Sequence, residues 1–327
     1  MKHLIERFTQ QLEEAMQIGE LVSIPFEVKN LQMVLVSGLG GSGIGGSIAQ
    51  EYVYDKLRIP FLVNKDYFIP ASVNAQTLFI ACSYSGNTEE TLQAVESARK
   101  AKARIVCITS GGALAAFARK HKLCLIEIPS GMPPRSCLGY SLVQLLAVLK
   151  KCCLLKTPVF AEIGSAIERL RKEQTGIRKQ AQKIAEQLAG RIVALYSIAG
   201  REGLAIRFRQ QLNENSKILC WHNVVPEMTH NEIVGWRNSH PNLAVVFCYH
   251  ADDYEKNIQR LKVLKKVVRQ YQTQTLDIVI KGSNYWEKAF YFIHLTDWIS
   301  VFLADRNHQD AMEVKVIDRL KKEMAKK

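Results

Sequence analysis

Two loops in the first hundred residues carry glycines and hydroxyls at spacings that suit the binding of an anion. The first, Gly38-Leu39-Gly40-Gly41-Ser42-Gly43-Ile44-Gly45-Gly46-Ser47, follows the apolar run MVLVS and leads towards a helical stretch. Glycines there let the backbone turn sharply, approach a ligand closely and aim amides at it. Gly38, Gly40 and Gly43 have the GxGxxG spacing of dinucleotide sites, which alone is weak evidence. A nucleotide ribose also wants an acid ending the second strand. This strand ends Asn64-Lys65-Asp66, one acid behind a lysine, so NAD is disfavoured and no cofactor is expected. The second loop, Cys82-Ser83-Tyr84-Ser85-Gly86-Asn87-Thr88-Glu89-Glu90-Thr91, follows TLFIA. Ser83, Ser85 and Thr88 cluster around Gly86 where a helix should open, with Thr88 suited to the N-cap. Opening-turn amides and the helix dipole favour an anion, and the three hydroxyls can donate to a phosphate monoester. A plain cap would account for Thr88 but not for Ser83 and Ser85 as well. No lysine follows, so this is not a P-loop.

Further along, Glu214 sits between two asparagines in Gln210-Gln211-Leu212-Asn213-Glu214-Asn215-Ser216-Lys217, at the end of an expected helix. His230 lies in Pro226-Glu227-Met228-Thr229-His230-Asn231-Glu232. Alone, either is read as an ordinary surface or core residue. A metal reading would use His222, Glu227, His230 and Glu232, with ExxH spacing between Glu227 and His230. HExxH is missing and the acids lack a second matching half, so no metal is expected.

The elements that must position these residues alternate strand and helix. Apolar runs at 33–38, 60–64, 77–83, 104–110 and 123–130 are separated by helical stretches such as SIAQEYVYD and NTEETLQAVESARKAKA. Short, doubly apolar strands between helices predict a parallel sheet covered on both faces. A charged helix from about Phe160 to Leu188 follows, and then the order restarts with RIVALYSIAG, ILCWHNV, LAVVFCYH and TLDIVIKG, interleaved with helices. The two halves share an order of elements without sharing words, which suggests a diverged duplication. The expected fold class is α/β, with two doubly wound parallel-sheet domains over 1–155 and 156–327 and flanking helices.

Composition narrows the classes further. The chain has 327 residues, 47% hydrophobic and 23% charged, the profile of a globular protein large enough for two cores. No apolar run is long enough to span a bilayer, and MKHLIERFTQQLEEAMQ is a poor signal peptide, so a cytoplasmic location without a membrane partner is expected. The eight cysteines, six of them single and Cys152 beside Cys153, show neither a disulfide framework nor a zinc ribbon. Formal net charge is +13. The basic residues are spread along helix faces, as in LKVLKKVVRQ and RLKKEMAKK, without a recognition-helix or RNP pattern. That pattern is read as solubility and steering of an anionic substrate rather than nucleic-acid binding.

The loop GGSGIGGS followed by SYSGNTEET resembles the sugar isomerase (SIS) domain, a phosphosugar-binding doubly wound module. A pair of them resembles the phosphoglucose isomerase superfamily. Pro129-Ser130-Gly131-Met132-Pro133-Pro134-Arg135-Ser136-Cys137-Leu138-Gly139-Tyr140, with the stretches around Glu214 and His230, narrows the resemblance to the bifunctional phosphoglucose/phosphomannose isomerase family. It covers essentially the whole chain.

The resemblance implies reversible, metal-independent isomerisation of glucose 6-phosphate and mannose 6-phosphate with fructose 6-phosphate through a cis-enediol. By it, Gly40, Gly41 and Ser42 contact the sugar, while Ser83, Ser85 and Thr88 hold the phosphate. Glu214 carries the proton between C1 and C2, His230 opens the ring, and Arg135 stabilises the enediolate. Arg135 itself is expected to be an exposed side chain after two prolines. A site lysine near the C-terminus is implied as well. The family pattern resembles DPTPVKVIDxLK where this chain reads Asp310-Ala311-Met312-Glu313-Val314-Lys315-Val316-Ile317-Asp318-Arg319-Leu320-Lys321, which favours Lys321 over Lys315. The superfamily's histidine reaches a neighbouring subunit's site, implying a homodimer with shared active sites. FCYHADDYE (247–255) stands where a second phosphate loop would lie, and its two aspartates would repel phosphate, so one phosphate site per chain is expected. A non-catalytic phosphosugar-binding SIS regulator is the alternative; it would need the phosphate loop but not Glu214, His230 and Arg135 together.

Overall fold

Apolar strands that alternate with amphipathic stretches can be satisfied only by a sheet with helices on its faces. The computed structural model describes residues 1–271 and 273–324; Gln272, and the Ala325-Lys326-Lys327 end of the basic RLKKEMAKK stretch, lie outside the described residues. In chain order the elements are α1 (Lys2–Glu6), α2 (Phe8–Leu21), β1 (Met33–Ser37), α3 (Gly40–Val53), β2 (Phe61–Asn64), β3 (Thr77–Cys82), α4 (Glu89–Lys100), β4 (Arg104–Thr109), α5 (Gly112–Lys120), β5 (Cys124–Glu127), α6 (Leu138–Lys151) and α7 (Val159–Leu188). The order continues with β6 (Ile192–Ile198), α8 (Glu202–Ser216), β7 (Cys220–Val225), β8 (Leu243–Tyr249), α9 (Glu255–Gln270), β9 (Gln274–Val279), α10 (Tyr285–Arg306) and α11 (Lys315–Met324). The chain divides into two compact units. The N-terminal unit holds Glu6–Lys172 and Gly282–Ala289; the C-terminal unit holds Met1–Ile5, Glu173–Lys281 and Phe290–Lys327.

In the N-terminal unit five parallel strands run in the order β2-β1-β3-β4-β5. Alternation along each strand sends Leu35, Phe79, Ala81, Ile105 and Cys107 to one face, where they meet Ala94, Val95 and Ala98 of α4 and Leu114 and Ala118 of α5. The other residues face α3 and α6, which pack on each other, with α2 over α6. One expectation is corrected here. The helix after the glycine motif begins at Gly40 rather than at Ser47, so Gly40, Gly41 and Ser42 form its first turn. The reason is close packing: a Cβ on Gly46 would stand 3.1 Å from Val36 Cγ1, so glycine lets this helix lie tight against the sheet.

In the C-terminal unit four parallel strands run in the order β7-β6-β8-β9. Ala194, Tyr196, Val245 and Phe247 pack under Leu261, Leu264 and Val268 of α9. Helix α8 lies on β6 and β7, and its Phe208 meets Phe292 of α10 edge to face, with centroids 6.1 Å apart. Arg207, Gln211 and Asn215, four apart and therefore on one face of α8, are all buried against α10. Arg207 Nη2 donates to both Asp297 oxygens at 2.9 and 3.1 Å, and Gln211 Nε2 donates to Asp297 at 2.7 Å. Asn215 Nδ2 donates to Ser300 Oγ at 2.9 Å, and Ser216 Oγ to the Ser300 carbonyl at 2.6 Å. Burial pushes the Asp297 carboxyl above its usual range, while Arg207 and Gln211 pull it back. Losing one member of such a buried pair costs roughly 3–5 kcal/mol, which makes it a rigid fixing of α8.

Candidate active site

Both sheets have the same switch in strand order. The first strand of each is flanked by its successor on one side and by the third strand on the other, and a crevice opens at the carboxyl ends between first and third. In the N-terminal unit the glycine motif leaves β1 and the hydroxyl loop leaves β3, so both reach that crevice. Ser42 Oγ accepts the Tyr84 amide at 3.0 Å and ties one loop to the other. Ser83 Oγ and Thr88 Oγ1 are 2.9 Å apart, and the Asn87 amide donates to Ser85 Oγ at 3.3 Å. Ser83 is buried and Ser85 exposed.

Thr88 is the N-cap residue of α4, extended at φ −74° and ψ 113°, yet its side chain does not cap the helix. Its hydroxyl is engaged with Ser83, which leaves the opening amides of α4 to an outside acceptor. Gly86 is required for this turn: its φ is +70°, and a Cβ would lie 1.9 Å from the Gly111 carbonyl oxygen. Asn87, which sequence reasoning passed over, braces the loop from below, its Oδ1 accepting the Ala113 amide at 3.0 Å.

Arg135 joins the same crevice. It sits in a 3-10 turn, Pro134–Ser136, behind Pro133. That turn packs on the first turn of α3, where a Cβ on Gly41 would come within 3.1 Å of the Pro134 carbonyl oxygen and 3.3 Å of Arg135 Cα. Tyr84 OH accepts the Met132 amide at 3.1 Å and anchors the approach to the turn. The expectation of an exposed Arg135 is corrected: the residue is 3% exposed. The two prolines restrict the loop, and the glycine beneath admits it closely enough to bury the side chain.

The corresponding crevice of the C-terminal unit, between β6 and β8, is filled by the chain itself. Arg201 donates to Asp253 Oδ1 through Nε at 2.9 Å and Nη2 at 2.7 Å, while the His250 amide donates to Asp253 Oδ2 at 2.7 Å. A guanidinium and a backbone amide thus hold a carboxylate where the first unit presents hydroxyls.

Glu214 and His230 occupy opposite ends of that unit. Helix α8 runs antiparallel to β6, so Glu214, in its last turn, lies at the amino ends of the strands. His230 follows β7, in the 3-10 turn Glu227–His230 beyond its carboxyl end, and is exposed. Strand β7, Cys220–Val225, stands between the two levels and rises about 20 Å. Within one chain, Glu214 and His230 therefore lie at opposite edges of this sheet.

Glu232, just beyond His230, accepts from Trp221 Nε1 at 2.8 Å, Asn223 Nδ2 at 2.6 Å and Tyr196 OH, and so pins the segment to β6 and β7. Burial first, and then this carboxylate, push the Tyr196 hydroxyl above its usual range. His222 Nδ1 stands 3.1 Å from Arg209 Nη1, with Nε2 3.3 Å from Glu202. A guanidinium so close is a poor neighbour for a divalent cation. Burial, and then Arg209, depress this imidazole. Among the described residues no group of three or more His, Cys, Asp or Glu is arranged to hold a metal. Lys315 and Lys321 both lie exposed on α11, a helix with no buried residue among those described.

The residues 33–147 match the family model of the SIS domain, and residues 177–324 match that of the bacterial phospho-glucose isomerase C-terminal SIS domain. The chain is 36% identical to a bifunctional phosphoglucose/phosphomannose isomerase of Caldicellulosiruptor bescii, over 97% of this chain and 96% of that one. Identity to a protein of the same description from Aquifex aeolicus is 35%, over 90% of each. Among solved structures, tagatose-6-phosphate ketose/aldose isomerase from Escherichia coli superposes with a TM-score of 0.70 at 16% identity, over 92% of this chain and 91% of that one, a likeness of fold.

Proposed function

The chain belongs to the bifunctional phosphoglucose/phosphomannose isomerase family and is a phosphosugar isomerase; we propose that glucose 6-phosphate and mannose 6-phosphate both pass to fructose 6-phosphate through one cis-enediol. The observation that carries this reading is the convergence of three loops on one crevice: the first turn of α3, the hydroxyl loop and the Arg135 turn. The phosphate sits against Ser83, Ser85, Thr88 and the opening amides of α4, and Gly40, Gly41 and Ser42 face the sugar. His230 delivers a proton to the ring oxygen as the C1 hydroxyl loses its own, giving the open aldehyde. Glu214 takes the C2 proton while the carbonyl oxygen at C1 gains one; Glu214 then returns its proton to C1 as the C2 hydroxyl gives up its own, and the ketose results. The buried guanidinium of Arg135 offsets the negative charge that develops on the enediolate, where low dielectric strengthens it. Lys321 on α11 adds positive charge, with Lys315 as the alternative.

The site is completed by a second copy of the chain. Support comes from the separation of Glu214 and His230 across β7, and from the exposure of His230. One phosphate site per chain accords with the Arg201–Asp253 pair in the second crevice. No metal, cofactor, nucleic acid or membrane takes part. The location we propose is the cytoplasm, which the eight free cysteines suit; among the described residues no helix is long and apolar enough to cross a membrane.

The direct test supplies each hexose 6-phosphate to protein treated with excess EDTA and couples the product to a dye-free enzymatic readout. Full turnover of both aldoses is expected. Activity lost to the chelator and restored by zinc or manganese would overturn the metal-free mechanism. The phosphate assignment has its own measurement. Ser85→Ala combined with Thr88→Val should weaken hexose 6-phosphate binding at least tenfold, since hydrogen bonds to a charged group contribute about 1.5–3 kcal/mol each. Binding of the unphosphorylated sugar should change little. Unaltered affinity for the phosphosugar would place the phosphate elsewhere.

A further inference from the structure

The end of the Glu214 helix carries a residue whose role the preceding chemistry does not use. Lys217 is the C-cap of α8, in the left-handed region at φ +56°, and its amide donates to the Leu212 carbonyl. Its ammonium donates to three backbone carbonyls: Glu214 at 2.6 Å, Asp310 at 2.8 Å and Glu313 at 2.8 Å. An ammonium has three protons, and three acceptors converge on it. A cation at a helix C-terminus also meets the negative end of the helix dipole. Two of the three acceptors lie more than ninety positions away in sequence, in the segment between α10 and α11.

Just ahead of that segment, Asn307 Nδ2 also donates to the Ser216 carbonyl at 3.4 Å. Helix α11 has no buried residue among those described, and Val316, Ile317 and Leu320 are exposed. Asp310 Oδ1 accepts the Met312 amide at 2.7 Å, and Glu313 accepts the Lys315 amide, so the turn is organised locally. The bonds from Lys217 attach this turn to the end of α8. Helix α8 is itself fixed to α10 by Arg207, Gln211, Asn215 and Ser216. The chain of contacts runs from a rigid helix pair, through Lys217, to the start of α11.

We infer that Lys217 is a positioning residue, a clamp that holds the Asp310–Glu313 turn against the end of the Glu214 helix and so sets α11, with Lys315 and Lys321, relative to the catalytic carboxylate. This rests on the proposed roles of Glu214 and the α11 lysine. In the left-handed conformation the Lys217 amide closes on Leu212 while its ammonium reaches the Glu214 carbonyl. Its backbone turn points the chain away from α8 while its side chain folds back across the helix end.

Two variants separate the ammonium from the backbone. Lys217→Met removes the three donors and keeps a side chain in the left-handed region. Lys217→Gly removes the donors and relieves that conformation, so folding is protected. Hydrogen exchange of amides 310–324 and steady-state kinetics are measured on each, beside Lys217→Arg and Glu214→Gln. Both donor-free variants should exchange faster across 310–324 and lose about 10- to 100-fold in kcat, with KM within threefold, because small misplacements cost catalysis more than binding. Lys217→Arg, which can still donate, should recover part of both effects. Wild-type exchange and kcat in Lys217→Gly would overturn the clamp. So would a loss of kcat without faster exchange, because the effect would then run through another contact. The exchange readout is independent of catalysis. Full activity in Glu214→Gln would instead remove the catalytic reading and leave the clamp to stand or fall on exchange alone.

Discussion

Glu214→Gln should lower turnover by about 10²–10⁴-fold with glucose 6-phosphate and with mannose 6-phosphate alike, and leave binding of either within a few fold. Glutamine keeps the shape and hydrogen bonding of the side chain and removes its ability to accept a carbon-bound proton. A loss of that size corresponds to about 3–5 kcal/mol of transition-state stabilisation, larger than any single contact to the phosphate. Affinity should survive because the hydroxyl loop Ser83–Thr88 belongs to the other unit, braced by Asn87 and Ser42 and untouched by the substitution. One carboxylate should serve both aldoses, since they differ only at C2 and converge on one enediol. In deuterated water the wild-type protein should place deuterium at C2 of the product aldose, as exchange from an enediol requires. Hydride transfer would leave C2 unlabelled. Residual turnover above a few per cent with either aldose would remove Glu214 from the role, and activity with only one aldose would remove the bifunctional assignment.

The second large effect is a recovery. Glu214→Gln and His230→Asn, each nearly inactive alone, should complement when the two chains are co-expressed with different tags. If each site takes its carboxylate from one chain and its imidazole from the other, a mixed dimer has one doubly altered site and one wholly native site. The purified heterodimer should then show about half of wild-type turnover, and an unfractionated statistical mixture about a quarter. The basis is geometric. Glu214 ends α8 at the amino side of the sheet, His230 follows β7 at the carboxyl side, and β7 spans about 20 Å between them. A heterodimer as inactive as either parent would show that both residues act within one chain, and the proposed sharing would be wrong. The phosphate loop serves as the internal control, since Ser85→Ala with Thr88→Val should complement His230→Asn only if the loop and the histidine come from different chains.

Several parts of the molecule are legible in the amino-acid order because their causes are local. A helix that opens behind Ser83, Ser85 and Thr88 needs only neighbours in sequence to make an anion-binding turn, and Gly86 is glycine because the turn demands a positive φ. The alternation of doubly apolar runs with amphipathic ones dictates parallel sheets for the same reason, and both sheets are parallel throughout. Glu214 at the end of its helix follows from the pattern of that helix alone.

What required the tertiary structure involves residues carried by different elements. Arg135 reads as an exposed loop cation until the first turn of α3 is packed against it at Gly41 and buries it. Arg201 and Asp253 are 52 positions apart, and neither neighbourhood reveals that the second crevice closes on an internal ion pair. Glu232 looks like a candidate metal ligand in its own segment, and becomes an anchor only when Tyr196, Trp221 and Asn223 from adjacent strands donate to it. Nothing in the sequence marks Lys217, because its acceptors at 310 and 313 come from the other end of the chain. The separation of Glu214 from His230 belongs to this group as well. Sixteen positions is a short distance along the chain, but a strand lies between them, and a strand converts six residues into most of the height of the sheet. Sequence determines which groups are present and how each local segment turns; the sheet decides which of them can meet.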